Sequence, residues 1–277
     1  LSGYGQDGPL SRYPANGNTT EPMSGLSSIN GYEGDAGANT GGLIPDPISG
    51  YYFAGAIMAA LAFRQRTGKG QRIDLSMVEA VAVQLGEHIM DYTANSRVTI
   101  PGGNRHSRIA PHNVYLAADD RWVAITALDD GQWRALARIM DIRDERFTDM
   151  EGRKRHESDL DETIASWCGL RQAEEIEADL VKAGVCAAAV RRFLDVYRNP
   201  SEQFLTREYL VPVTHPESGT HHMPTLPWVL TGAKSPPVRH SPRFGEHSRE
   251  VFREELEMTD EAYEDLVAEG ITGTTRL

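Results

Sequence analysis

The segment Gly42-Leu-Ile-Pro-Asp46-Pro47-Ile-Ser-Gly50 sets one carboxylate, Asp46, ahead of an apolar stretch from Tyr51 to about Arg66. Pro47 suits the first position of a helix, where its missing N–H would be unpaired anyway. Asp46 is then expected at the N-cap, where backbone N–H groups and the positive helix end favour its ionised form. A capping role alone accounts for an aspartate at such a place. An ionised carboxylate that can shed water beside backbone donors is also a competent covalent nucleophile.

Two glycine loops could serve such a nucleophile. Gly3-Tyr4-Gly5-Gln6-Asp7-Gly8 matches the spacing of a dinucleotide-binding turn, but Pro9 follows at once and no apolar helix begins there. It reads instead as a strand-ending loop that lets backbone approach a ligand. Gly102-Gly103 precedes Asn104, Arg105, His106 and Arg108. A glycine hinge beside cations fits a mobile lid over an anionic substrate, and equally a plain inter-domain linker. His215, His221 and His222 lack metal-ligand spacing, so no metal site is expected. No G-x-S-x-G elbow supports a serine hydrolase. Arg64, Arg66, Lys69 and Arg72 are assigned to complementing a helix C-terminus.

The elements that must position these residues follow an α/β grammar. A short helix is expected over about Glu21–Ser28 and a flexible loop over Gly34–Gly42. The long helix then runs to Thr67, with Gly68 as its left-handed C-cap. Gln71–Ser76 alternates as a strand, and Val78 to about Tyr92 has helical periodicity. Helix, turn, strand, helix implies a layer on a parallel sheet. Beyond a break at Ser96–Pro111 the texture changes. Asn113–Ala117 and Trp122–Ala127 read as a hairpin across Asp119-Asp120, with helices near Gly131–Met140, Glu157–Leu170 and Gln172–Ala183 and a strand at Cys186–Val190. From Pro200 the chain is expected to be extended, with edge strands at Val211–His215 and His221–Pro224. Helices close it at Ser248–Glu257 and Asp260–Glu269. The divisions are therefore a large α/β part over 1–95, a glycine linker or lid over 96–112, a small α+β domain over 113–199 and a return segment over 200–277.

The 277 residues can bury a substantial core. A net charge of −12 with no long basic run speaks against nucleic acid as a partner, though not against an anionic small ligand. Cys168 and Cys186 form no framework and read as buried free thiols of a cytoplasmic protein. The apolar run Ile48–Phe63 is too short and too polar for a comfortable membrane span. Leu1-Ser2-Gly3 reads as the end of a strand, so a preceding part of the fold is expected from elsewhere.

Several segments together resemble one family: Ser2–Pro9, Met23-Ser-Gly-Leu26, Pro45-Asp46-Pro47, Arg66–Gln71 with Asp74–Glu79, Gly103–His106 with Ala110-Pro111, and Gly245-Glu-His247. The chain is similar to class III coenzyme A transferases over Ser2 to about Ile271, with Arg66–Glu79 the most specific stretch. The resemblance implies transfer of coenzyme A between carboxylic acids, with CoA thioester as co-substrate and no tightly bound cofactor. It makes Asp46 the covalent nucleophile and the Gly102-Gly103-Asn104 loop the shield of the intermediate. Gly3, Tyr4, Gly5 and Gln6 become the loop facing the oxyanion, and Arg105 and His106 become candidates for binding substrate or CoA. It further implies protomers that interlock, in a homo- or hetero-oligomer, and an N-terminal nucleotide-fold half that this chain lacks. The sibling racemases carry a His-Asp pair where this chain has Asn16-Gly17, and an acid near Asp129. The alternatives are therefore a CoA-thioester racemase using Asp46 and Asp129, or a non-catalytic assembly subunit.

Overall fold

Asn16 ends the irregular N-terminal segment and starts the first helix of this computed structural model, which describes residues 1–232 and 237–274. Its side chain accepts the Thr19 N–H while Thr19 Oγ1 accepts the Asn16 N–H, a reciprocal cap that opens α1 (Gly17–Ser24). The helix therefore begins four residues before the expected start at Glu21, because Thr19 completes the box in place of the usual Glu or Gln. Gly25, in the left-handed region, closes it and leads into a 3-10 turn at Leu26–Ser28.

The long helix α2 spans Pro45–Thr67 and ends at Gly68 as expected. Its start differs. Pro45 and Pro47 occupy the first and third helical positions, where neither needs an N–H. Ile44 is the cap residue, so Asp46 is the second residue of the helix, within its first turn, rather than the N-cap. The expected helix Val78–Tyr92 is broken into α3 (Met77–Ala82), a 3-10 turn at Val83–Leu85 and α4 (Gly86–Asn95). The expected strand Gln71–Ser76 pairs at one point, a parallel bridge between Ser76 and Ser2. A strand exists only where a neighbour supplies a ladder, and within this chain Ser2 is the neighbour.

Cis-Pro111 precedes β1 (His112–Leu116), which pairs antiparallel with β2 (Trp122–Thr126) and through it with β3 (Cys186–Ala189). Asp120, at φ +56°, turns the hairpin. Helices α5 (Asp130–Met140), α6 (Met150–Arg155), α7 (Glu157–Cys168) and α8 (Ala173–Lys182) join this sheet in one apolar core. Ile125, Leu136, Phe147, Leu160, Ile164 and Ile176 are its largest sealed members. Burial pushes the Cys168 thiol up to about 12, so it stays protonated and inert. Cys186 corrects the expectation of two buried thiols: it heads β3 on the outward side of the alternation and is exposed.

Leu1–Val190 forms one compact unit and Arg191–Leu277 a second. In the second, α9 (Phe193–Arg198) falls at the end of the stretch read as the small domain, and α10 (Glu202–Thr206) occupies sequence read as extended. β4 (Leu210–His215) and β5 (Gly219–Pro224) pair antiparallel with each other, and α11 (Ser248–Leu256) and α12 (Asp260–Ala268) follow. The part of the expected extended segment at 233–236 lies outside the described residues. Among the described residues, no helix is long and apolar enough to cross a membrane.

Arg153 shows what fixes the small core. It is completely buried, donates to the carbonyls of Ala110 (2.8 Å) and Phe147 (3.2 Å) and to Asp130 Oδ1 (2.7 Å), and lies over the Trp133 ring. Truncation to alanine would strand two buried carbonyls and open a cavity. Arg153→Ala is expected to cost about 3–5 kcal/mol, from the two stranded carbonyls and the lost packing. Chemical denaturation checks this, and an unchanged midpoint would contradict it.

Candidate active site

The loop before α2 is strapped along α1, running antiparallel to it. At its far end Ala38 and Asn30 exchange two hydrogen bonds, the Ala38 N–H to the Asn30 carbonyl (2.8 Å) and Asn30 Nδ2 to the Ala38 carbonyl (2.9 Å). Pro22, inside α1, has no N–H to give the Asn18 carbonyl, and Asn39 Nδ2 donates to that carbonyl instead (3.2 Å). The next tie is the strongest. Glu21, 1% exposed, accepts the Thr40 N–H (2.7 Å) and the Thr40 hydroxyl (2.9 Å) on its two carboxylate oxygens. A buried carboxylate needs such donors to offset its lost hydration.

The strap delivers Asp46 to the N-terminal end of α1. There Gly17 leaves the room: a Cβ at position 17 would run into Asp46 Oδ2 and stand 2.9 Å from Leu43 Cα. The Asp46 carboxylate is exposed, and among the described residues it accepts no hydrogen bond and forms no ion pair. The sequence expectation of free N–H groups around it is corrected. Pro45 and Pro47 have none, the Asp46 N–H bonds Leu43 O (3.0 Å) and the Ile48 N–H bonds Ile44 O (3.2 Å). Oxyanion donors must therefore come from another element.

The Gly3–Gln6 loop meets the same end of α1. A Cβ on Gly3 would overlap Ala15 Cβ, and Thr20 lies next to it. Gly3 O accepts the Val78 N–H (3.1 Å), tying this loop to the start of α3, and the Gln6 N–H donates to Asp74 (2.9 Å). Among the described residues, the N–H groups of Gly3, Tyr4 and Gly5 have no acceptor. Asp46 and a turn with spare donors thus share one short stretch, Ala15–Thr20.

The second glycine loop is held at both ends. The Gly103 N–H bonds Gly31 O (2.8 Å), and the Asn104 carbonyl accepts His112 Nδ1–H (2.6 Å). Arg105 reaches Asp161 Oδ2 through Nε (3.1 Å) and Nη2 (2.9 Å), and Asp161 also accepts Asn113 and the Tyr115 hydroxyl. Burial and then the Asp161 charge push the Tyr115 phenol up, so it remains a donor. Lys154 donates to the His106 carbonyl (2.7 Å), and the His106 ring stands against His112. Asp129 caps α5, accepting the Gln132 N–H (2.9 Å). Arg105, His106 and Asp129 thus have anchoring contacts in the small core. Among the described residues no group of His, Cys, Asp and Glu could hold a metal ion.

Sequence reasoning did not single out Gly17, Glu21, Thr40 or Tyr32. A proline six residues into a capped helix was the available signal for the strap, since it leaves a carbonyl for a distant donor.

The model of CoA-transferase family III matches residues 1–248. A succinyl-CoA–D-citramalate CoA-transferase of Chloroflexus aurantiacus is 28% identical over 265 residues, covering 94% of this chain and 65% of that protein. A succinate–glutarate CoA-transferase of Agrobacterium fabrum is also 28% identical, over 92% of this chain and 64% of that protein. The β subunit of a succinyl-CoA–L-malate CoA-transferase of C. aurantiacus is 28% identical over 96% of the chain and 67% of its own length. A CAIB/BAIF family protein from Brucella suis superposes with a TM-score of 0.81 at 26% identity, over 91% of this chain and 66% of that one. The chain thus spans about two thirds of the length of these relatives.

Gly17→Ala tests the close approach directly. The backbone there is ordinary and alanine is the better helix former, so only the contact with Asp46 and Leu43 opposes it. Expected is a stability loss of about 1–3 kcal/mol from overpacking. Thermal melting checks this, and a wild-type midpoint would contradict the contact.

Proposed function

The chain belongs to CoA-transferase family III, and from that premise we propose that it carries the nucleophile of an acyl-CoA:carboxylate CoA-transferase, Asp46. The observation that carries this reading is the meeting of an unpartnered carboxylate and a turn with spare N–H donors at Ala15–Thr20. Asp46 attacks the acyl-CoA carbonyl, and the thiolate of CoA leaves, giving a mixed anhydride. The thiolate then attacks the aspartyl carbonyl and releases the donor carboxylate, leaving an aspartyl-CoA thioester. An acceptor carboxylate attacks that thioester and expels the thiolate. The thiolate takes the acceptor's acyl group and returns Asp46 to its free form.

Each addition builds an oxyanion, for which the spare N–H groups of Gly3, Tyr4 and Gly5 are the proposed donors. Water would hydrolyse the anhydride, and the Gly102-Gly103-Asn104 loop is the element proposed to exclude it. The relatives named for succinyl-CoA, glutarate and malate support dicarboxylic acids as the panel to try first. A racemase would need a second proton-transfer base beside Asp46. Asn16 is committed to its cap and Gly17 has no side chain.

The site is completed by further polypeptide. In α2 only Pro45 and Ser49 are buried, and Tyr51 (71% exposed), Met58 (66%) and, on α4, Met90 (70%) present apolar side chains to solvent. An apolar surface of this kind marks an interface. The reading is an interlocked homo- or hetero-oligomer in which an additional nucleotide-fold part covers these helices and supplies cations for the CoA phosphates. The β-subunit name of one relative supports an assembly of this kind.

Two experiments test the proposal. Hydroxylamine added during turnover with succinyl-CoA should convert Asp46 to a hydroxamate visible by peptide mass spectrometry. Asp46→Asn should fold normally, since the carboxylate has no structural partner, and lose roughly four orders of magnitude or more in rate, the scale of losing a covalent nucleophile. An unmodified Asp46 together with near-normal turnover of Asp46→Asn would reject the mechanism. For the assembly, light scattering on the isolated 277-residue chain should show self-association and calorimetry no CoA binding. A monodisperse monomer that binds CoA tightly would contradict it.

A further inference from the structure

The glycine loop rests on a specific seat outside the residues so far given a role. Gly103 has φ +63°, a conformation that glycine adopts without strain. A Cβ there would stand 2.8 Å from Tyr32 Cδ1 and 3.3 Å from Cε1, so the loop backbone lies against the edge of the Tyr32 ring. Beside this contact, the Gly103 N–H bonds Gly31 O (2.8 Å) and buried Pro101 packs on Gly31. The Tyr32 backbone is itself fixed from behind. The Tyr32 N–H donates to Asp35 Oδ2 (2.8 Å) and the Asp35 N–H to the Tyr32 carbonyl (3.0 Å), locking a turn that leads straight into the strap holding Asp46. The ring is otherwise 65% exposed, so it contributes little to the core.

We propose that Tyr32 is a positioning residue: its ring is the surface on which the Gly102-Gly103-Asn104 loop closes over the reacting carboxylate. The inference rests on the transferase reading above and deepens it by naming what sets the loop's closed position. Tyr32 and Asp46 belong to one continuous stretch of chain, whose later part is tied to α1 through Asn39, Thr40 and Asp46. Glycine at 103 is required because any side chain would be driven into the ring. Flatness and bulk are what the seat needs. The hydroxyl has no partner among the described residues.

The test uses the intact protein with succinyl-CoA and an acceptor dicarboxylate, and compares Tyr32→Ala, Tyr32→Phe and Gly103→Ala with wild type. Two readouts are needed: acyl-CoA hydrolysed per CoA transferred, and amide hydrogen exchange of the peptide spanning 101–104. Tyr32→Ala should raise the hydrolysis ratio by about fivefold or more, because water reaches the anhydride. It should speed exchange at Gly103 by about tenfold, because the loop opens more often. Tyr32→Phe should keep both near wild type. Gly103→Ala should reproduce the Tyr32→Ala signature, and its effect should shrink in a Tyr32→Ala background, which removes the collision while leaving the backbone strain equal.

Unchanged exchange and an unchanged hydrolysis ratio in Tyr32→Ala would overturn the inference, as would a Phe variant as impaired as Ala. Exchange requires no turnover, so it reports on the seat even where activity is lost. Hydroxamate formation at Asp46 in wild type separates the two levels. An adduct with neutral Tyr32 variants sinks this inference alone, and no adduct in any protein sinks the transferase reading while leaving the exchange result to judge the seat.

Discussion

A buried carboxylate, Glu21, governs how the exposed one, Asp46, is presented. Glu21 has no cation beside it among the described residues, and its charge is balanced by the N–H and hydroxyl of Thr40, with the Ser27 hydroxyl near one oxygen at 3.3 Å. Leaving such a group unsatisfied costs several kcal/mol, so the loop around Thr40 has one strongly preferred place. That place puts Leu43 and Asp46 against Gly17 and leaves the second carboxylate free in solvent. Glu21 thus spends its hydrogen bonds on holding a loop, while the Asp46 carboxylate stays without a hydrogen bond among the described residues, flanked by Pro45 and Pro47, which have no N–H.

The two halves of the first unit differ in how they are stabilised. The small sheet and its helices bury a continuous apolar core closed by Arg153, and they anchor the far side of the glycine loop through Asn104 and Arg105. The helices α2 and α4 are apolar but exposed, closed by left-handed C-caps at Gly68 and Ser96, and α2 packs on α1 and α3. Asp46 therefore belongs to the part whose apolar faces are exposed, at the start of α2. Under the proposed mechanism, a site closed by a further polypeptide would keep water from the anhydride and would make activity depend on assembly.

Much of the local architecture was legible because it is written in local signals. The Asp119-Asp120 hairpin, the Gly68 cap and the helices around Trp133, Ile164 and Ile176 follow from turn chemistry and periodicity. The start of α2 was misplaced because two prolines, at 45 and 47, each satisfy the same rule, and only the placement of Ile44 decides between them. The strand Gln71–Ser76 was readable as a pattern, but a pattern needs a neighbour to become a ladder. The candidate site was legible in its loops and its aspartate. It was not legible in Glu21 bonding Thr40, Gly17 facing Asp46 or Tyr32 facing Gly103, all contacts between residues distant along the chain.

The central claim, that Asp46 exchanges oxygen with both acids, can be followed with an isotope. An acceptor carboxylate labelled with oxygen-18, in unlabelled water, would hand one heavy oxygen to Asp46 each time the bridging anhydride breaks at the acceptor's carbonyl. In the next cycle Asp46 would pass that oxygen to the departing donor acid. Mass spectrometry of the Asp46 peptide and of the released donor should therefore show heavy oxygen accumulating in both with turnover. Transfer that proceeds while the Asp46 peptide and the donor acid remain unlabelled would contradict the account.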